Sequence, residues 1–398
     1  MKSENNSSNS SFFFLTSSEG VRLSNRILND NLKKGVLPRS TEMRDVLLPE
    51  FQKHVETRKK LKCWIDDLKG PIFIAIDVTY RCNLHCPYCY LSAGERRSAP
   101  ILSLRDFKYI IDTLVKRSEI LGLCICGGEP TLHPNLKDMI SYAKEYGLIV
   151  NMVTNGTLIN EKFAKDLSSL EIDSVQVSLD GSKPEIMDKL RGKGVFKRAV
   201  NAIKMLIANE MTTMAAMTLT KLNINDFPNV AKLSEELGLY SLRTMFFIPE
   251  HKRHIPLIPS DEEYAQVIQW IKDNQKHYKC LLEFGDPTEH IVLGSYIGHV
   301  MISVNPEGYV LPSPYMSLAY GNILNDSWDD LWEELERLWS DNPVFNTISK
   351  LLRNEKDFVI LSRVGLNRNE NENIIDVRKL SREKCIRLAK DIEEVLKV

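Results

Sequence analysis

The sequence has no apolar run approaching the roughly 18 residues that cross a bilayer, so no membrane span is expected. It has no basic start followed by an apolar core. The N-terminus reads MKSENNSSNSSFFFLTSSEG, which is unlike a secretory signal. It has no surplus of charge: 52 Lys and Arg stand against 53 Asp and Glu, a formal net charge of −1. No field follows that would draw nucleic acid or an anionic membrane, and the short basic stretch HKRH at 251–254 reads as solvated surface. These absences predict a cytoplasmic protein with no nucleic-acid and no membrane partner. Thiols stay reduced there, so clustered cysteines point to metal or catalysis rather than disulfides.

What is present is an ordinary globular composition, 43% hydrophobic and 26% charged, in 398 residues. That length suits one large domain with appendages or two ordinary domains. Residues 1–15 are rich in Asn and Ser and read as a disordered tail. Residues 16–70 read as an N-terminal helical segment, with Phe51, Val55, Trp64, Ile65 and Leu68 scattered among charges. From residue 71 a rhythm begins. PIFIAIDV, LGLCICGGEP, LIVNMVTNG, SVQVSLDG, TTMAAMTLTK and LRTMFFIP read as strands, each followed by a helical pattern. In LKDMISYAKEYG, Gly147 is the expected C-cap.

Six strand–helix units in succession predict an α/β fold with a parallel sheet under helices, open or curved into a barrel. SVQVSLDG is informative about the two faces. Val175, Val177 and Leu179 alternate with Gln176, Ser178 and Asp180. One face is apolar and suits packing under helices; the other is polar and suits a ligand cavity. In such sheets chemistry sits at the C-terminal ends of the strands, where the cysteine loop, GGEP, TNG and SLDG all fall. From about residue 281 the rhythm lapses. HVMISVNPEGYVLPSPYM reads as a hairpin turning at Pro306–Gly308. SWDDLWEELERLW reads as a helix with a core stripe of Trp328, Leu331, Trp332, Leu335 and Trp339, and SREKCIRLAKDIEEVLKV as a final helix.

Eight cysteines occur, at 63, 82, 86, 89, 124, 126, 280 and 385. Only Cys82, Cys86 and Cys89, in DVTYRCNLHCPYCYLSAG, have tight ligand-like spacing. Three thiolates can hold three corners of a 4Fe–4S cluster and leave one iron open. The alternative is a non-catalytic zinc module completed by His85 or Asp77. Cys124 and Cys126 flank Ile125 on one strand face and read as buried strand cysteines; Cys63, Cys280 and Cys385 read as structural.

The Cys82-x-x-x-Cys86-x-x-Cys89 spacing, with Tyr88 before the last cysteine, resembles the signature of the radical S-adenosylmethionine (radical SAM) superfamily. GGEP at 127–130, VTNG at 153–156, VSLDG at 177–181 and DKLRGKGVF at 188–196 follow in the order of that family's motifs. The resemblance implies a partial (β/α)6 TIM-like barrel over 71–280. It implies a 4Fe–4S cluster on Cys82, Cys86 and Cys89. It implies that Tyr88, Gly127, Gly128, Glu129, Pro130, Thr154, Asn155, Ser178, Asp180 and Arg191 bind S-adenosylmethionine (SAM). Tyr88 would lie by the adenine, Glu129 would accept from the methionine amine, and Arg191 and Ser178 would meet its carboxylate. Gly127 and Gly128 would let backbone approach the ligand. The implied chemistry is reductive cleavage of SAM to a 5′-deoxyadenosyl radical that abstracts hydrogen from substrate. A low-potential electron donor, flavodoxin- or ferredoxin-like, is the implied partner.

GSYIGHVMISVNPEGYVLPSPYMSLAYGNILNDSWDDLW resembles the SPASM/twitch extension of that superfamily. Gly298, Pro306, Gly308, Pro312, Gly321, Asn322, Ile323 and Trp328 keep its pattern, but Ser295 and Ser313 stand where it places cysteines. Serine is a poor ligand for iron–sulfur clusters. The resemblance therefore implies an α+β extension over 281–398 without auxiliary clusters. Two substrate classes remain: a peptide or protein side chain, and a small molecule of cofactor, nucleoside or antibiotic biosynthesis. No catalytic residue beyond the cofactor set is identifiable from the sequence.

Overall fold

The computed structural model describes residues 69–95, 100–249, 252–285, 301–352, 357 and 374–396. The expected tail at 1–15, all but the last two residues of the segment 16–70, Cys63, Ser295 and Gly298 lie outside the described residues.

The six expected strands are β1 (Phe73–Thr79), β2 (Gly122–Gly127), β3 (Ile149–Thr154), β4 (Ser174–Ser178), β5 (Thr213–Leu219) and β6 (Ser241–Phe246). They lie side by side in chain order, all parallel. Helices α1 (Leu104–Arg117), α2 (Leu136–Glu145) and α3 (Glu161–Ser169) follow the first three strands. Then come α4 (Pro184–Arg191), α5 (Val195–Ala208), α6 (Phe227–Leu237) and α7 (Asp261–Asn274). Gly147 ends α2 at φ +70, as its cap role requires. Two elements had no clear sequence signal: α4, and a seventh parallel strand, β7 (Leu281–Gly285), paired with β6.

The alternation read in SVQVSLDG extends across the sheet. Ile74, Ile76, Leu123, Ile125, Val150, Met152, Val175, Val177, Ala215, Met217 and Leu242 have no exposure and form the apolar face under the helices. The other face carries Cys124, Asn151, Gln176, Ser178, Met214, Ala216 and Thr218, all half-buried. A polar, partly accessible face inside a curved parallel sheet is where a ligand can sit.

Among the described residues the sheet does not close on itself. Its described edges are β7 on one side and β9 (Val310–Leu311) on the other. The expected hairpin is β8 (Met301–Val304) with β9, and β8 pairs in parallel with β1. Its turn is held by Asn305 Oδ1, which accepts from the N–H groups of Glu307 and Tyr309 at 3.0 and 2.8 Å. Gly308 sits at φ +85, and a Cβ there would meet Leu324 Cγ at 2.5 Å, so only glycine fits. Beyond it lie the parallel pair β10 (Leu318–Ala319) with β11 (Ile375–Asp376), and helices α8 (Trp328–Asp341), α9 (Pro343–Leu351) and α10 (Arg382–Leu396). Trp328, Leu331 and Leu335 are buried as the stripe predicts, and Trp328 Nε1 donates to Lys69 O at 3.0 Å. No helix among the described residues is long and apolar enough to cross a membrane.

Candidate functional site

The cysteine loop leaves the C-terminal end of β1 and lies over the strand ends. Cys82, Cys86 and Cys89 are free and half-buried on it. Its local order comes from the chain itself: Cys89 N donates to Cys86 O at 3.1 Å, and Ser92 N to Cys89 O at 3.0 Å. Cys82 Sγ accepts from Leu84 N at 3.4 Å and from Asn155 Nδ2 at 3.9 Å. Burial pushes the Cys82 thiol up to about 11, against the pull of the Leu84 N–H. Burial pushes Cys86 up to about 12, with the Arg191 guanidinium opposing. Charge on Cys89 raises both, so the three thiols feel one another.

GGEP packs against the root of this loop. Gly127 has φ +125, and a Cβ there would stand 2.2 Å from Thr79 O; a Cβ on Gly128 would stand 2.3 Å from Arg81 O. The N–H of Gly128 donates to Thr79 O at 2.7 Å and that of Glu129 to Arg81 O at 2.8 Å. The two glycines thus give their missing side-chain space to the chain's own backbone. This is a structural reason for them that the sequence reading assigned to ligand approach.

Glu129 has no exposure and joins two strand ends. Its Oε1 accepts from Thr131 N at 3.1 Å, Thr131 Oγ1 at 2.5 Å and Thr154 Oγ1 at 2.7 Å; its Oε2 accepts from Asn155 N at 2.7 Å. Burial raises its pKa, with the Thr131, Asn155 and Thr154 donors holding it back. Asn155 Nδ2 also donates to Asn83 Oδ1 at 2.9 Å. Pro130, buried, opens the turn after Glu129. Glu129, Thr154, Asn155 and Cys82 therefore form one connected network.

Asp180 centres a second network and also has no exposure. Its Oδ2 accepts from Tyr88 Oη and from Arg191 Nε, and its Oδ1 from Thr218 N at 2.8 Å. Asn223 Nδ2 donates to the Asp180 carbonyl at 3.0 Å. The Arg191 guanidinium stands 5.7 Å from the Tyr88 ring centroid, and Phe247 meets that ring edge-on at 6.2 Å. Burial and the Asp180 carboxylate keep Tyr88 a neutral phenol. Ser178 lies on the polar sheet face, paired in register with Ala216. The sequence reading missed Asn83, Thr131, Thr218 and Asn223; three of these, Thr131, Thr218 and Asn223, act through backbone N–H or carbonyl contacts that no motif marks.

The zinc alternative finds little support in this arrangement. His85 is exposed, and the Asp77 carboxylate accepts from the Cys126 thiol at 3.4 Å down on the sheet. No three His, Cys, Asp or Glu side chains among the described residues, the loop cysteines included, are gathered closely enough to hold a metal ion, so neither His85 nor Asp77 completes a site with those cysteines. Three thiols on one loop suit a larger cluster, whose ligands bind separate irons. Cys124 and Cys126 are half-buried on the polar face rather than fully buried.

The family model of the Radical SAM superfamily matches residues 76–234. The chain is 30% identical over 286 residues to the mycofactocin maturase MftC of Mycolicibacterium smegmatis, covering 68% of this chain and 72% of that protein. It is 26% identical over 292 residues to the AdoMet-dependent heme synthase of Methanosarcina barkeri, covering 67% and 83%. Among solved structures, Streptococcus suis SuiB bound to precursor peptide SuiA shares the fold with a TM-score of 0.57 at 16% identity, over 85% of this chain and 82% of that one.

Proposed function

The chain belongs to the radical SAM superfamily, and on that premise we propose that this enzyme modifies a side chain of a peptide or protein. Its cofactors are a 4Fe–4S cluster carried on three cysteines and SAM. When bound, they supply a carbon-centred radical that removes hydrogen from the substrate. In this reading Cys82, Cys86 and Cys89 would hold the cluster and leave one iron open for SAM. Glu129 uses its remaining acceptor capacity toward the SAM amine. Arg191, whose Nε is held by Asp180, would offer its other guanidinium donors to the SAM carboxylate. Tyr88, which Phe247 meets edge-on, would help keep water from the cofactor. Gly127, Gly128, Pro130, Thr154, Asn155, Ser178 and Asp180 shape or support the same cradle.

The observation that carries the peptide reading is the open sheet. Among the described residues β7 and β9 are the two edges of the sheet and do not pair with each other, an arrangement that suits lateral approach of a side chain borne on a long polymer. Similarity to a maturase supports the same class. Similarity to a heme synthase supports the second reading, a step in small-molecule biosynthesis. The extension 281–398 is read as a SPASM-like cap without clusters; Ser313 there has no exposure, and its Oγ accepts from Tyr315 N at 3.3 Å. A low-potential flavodoxin- or ferredoxin-like protein is the proposed electron donor.

The test begins with anaerobic reconstitution, which should give about four irons per chain and 5′-deoxyadenosine from SAM and dithionite. Deuterated candidate peptides, and deuterated small-molecule candidates in parallel, are then supplied. Deuterium passing from a peptide into 5′-deoxyadenosine supports the peptide reading. Deuterium arriving only from a small-molecule candidate would replace it with the second.

A further inference from the structure

We infer that Arg243 is a receptor for a carboxylate on the substrate, which makes an acidic group part of what this enzyme selects. The inference rests on the functional reading above.

From Leu242 onward strand β6 alternates. Leu242, Thr244 and Phe246 are buried under the helices, whereas Arg243 is exposed and Met245 half-buried on the opposite, concave face. The register puts Ser178, Ala216, Arg243 and Glu283 in one row across β4 to β7. With strands about 4.8 Å apart, Arg243 stands roughly 10 Å from Ser178 across the small Ala216. That span matches the space a substrate would need beside the cofactor cradle.

The side chain runs toward the mouth of the barrel. A Cβ on Gly285 would lie 3.1 Å from Arg243 Nε, 3.3 Å from Arg243 Nη2 and 2.7 Å from Met245 Sδ. Gly285 pairs with Met245, one row closer to the C-terminal rim than Arg243 itself. The guanidinium therefore rises along the concave wall in room that glycine leaves free.

This cation is not committed to the fold. Among the described residues it makes no hydrogen bond and no ion pair, although the half-buried Glu283 lies directly opposite in register. Opposed strand positions of opposite charge ordinarily attract, so a guanidinium that turns to the rim instead keeps its donor fork available. A planar fork of N–H donors suits a carboxylate. Met214, Met245 and Ala216, half-buried beside it, give such a contact an apolar flank.

The test uses the reconstituted enzyme with SAM and two probes, N-acetylglutamate α-amide and N-acetylglutamine α-amide, which differ only in the side-chain carboxylate. Their dissociation constants are measured by saturation-transfer NMR. The acidic probe should bind about tenfold tighter than the neutral one. Arg243→Gln should abolish that preference, and Arg243→Lys should keep part of it, retaining charge without the fork. Gly285→Ala, which crowds the guanidinium, should weaken the acidic probe alone. The inference is overturned if the wild type shows no preference, or if the preference survives Arg243→Gln. It is also overturned if Arg243→Gln lowers SAM affinity by about tenfold or more, since the guanidinium would then serve the carboxylate of SAM. A wild type that makes no 5′-deoxyadenosine defeats the broader functional reading; one that makes it without carboxylate preference defeats this inference alone.

Discussion

Asp180 ties the cysteine loop to the barrel at three points: Tyr88 Oη, Arg191 Nε and Thr218 N. Its role follows from burial. Arg191 is 13% exposed and Asp180 has none, so neither charge can turn to water. Asp180→Asn should leave a buried guanidinium without its counter-charge and cost about 3–5 kcal/mol in urea unfolding. The double variant Asp180→Asn with Arg191→Met should recover most of that loss, because removing both charges is close to neutral. If the double variant is as unstable as the single one, the ion pair is not the source. Glu129 gives a pH prediction. Burial sets its folded pKa above the ordinary 4.5. A raised acid binds more protons folded than unfolded. Its contribution is complete below the unfolded value and is lost as pH rises through the folded one. The stability difference between wild type and Glu129→Gln should therefore move against the wild type as pH climbs upward from 4.5. Urea midpoints across that range would show it, and a flat difference would mean that the four donors cancel the burial.

At the level of elements, the junction between β2 and the cysteine loop is the most constrained. Gly128→Ala places a methyl group 2.3 Å from the Arg81 carbonyl, which is backbone and cannot swing away. The loop root must shift. Iron retained after reconstitution should fall well below the wild-type content, while far-UV circular dichroism stays nearly unchanged. Normal iron content would show that the loop tolerates the shift. The same junction illustrates what the sequence reveals. The period-two pattern of β4 and the helical stripes announced six strands and their helices, because core burial imposes a local rhythm. Residues at strand ends were legible as a group, since four polar motifs gathered at one rim are hard to explain by core packing alone. Their individual bonds were not. Asn223 reaches the Asp180 carbonyl from 43 positions away, and Thr218 contributes a backbone N–H that any residue there would supply. Helix α4 was hidden within a stretch read for its arginine. β7 has only five residues, and its exposure pattern lacks clean alternation.

For the whole molecule, the parallel pairing of β8 with β1 decides how the C-terminal third relates to the barrel. No local pattern predicts that contact, because it joins Phe73 to Met301 and Ile76 to Val304 across more than half of the chain. Its consequence is that β1, the strand carrying the cysteine loop, is an interior strand with β2 on one side and β8 on the other. Ile302 and Val304 are buried there, and Trp328 Nε1 reaches back to Lys69 O just before β1. The extension is thus part of the same sheet. A chain ending at residue 300 would convert β1 into an open edge with unpaired N–H and C=O groups along its length. Such an edge beside the loop that gathers three thiols should both aggregate and lose iron. The expected outcome is a truncated protein that sediments in high-mass species and binds little iron, while the full chain unfolds in one transition seen alike by tryptophan fluorescence and far-UV dichroism. A soluble truncated barrel with full iron content would instead show that β1 holds the cysteine loop through β2 alone.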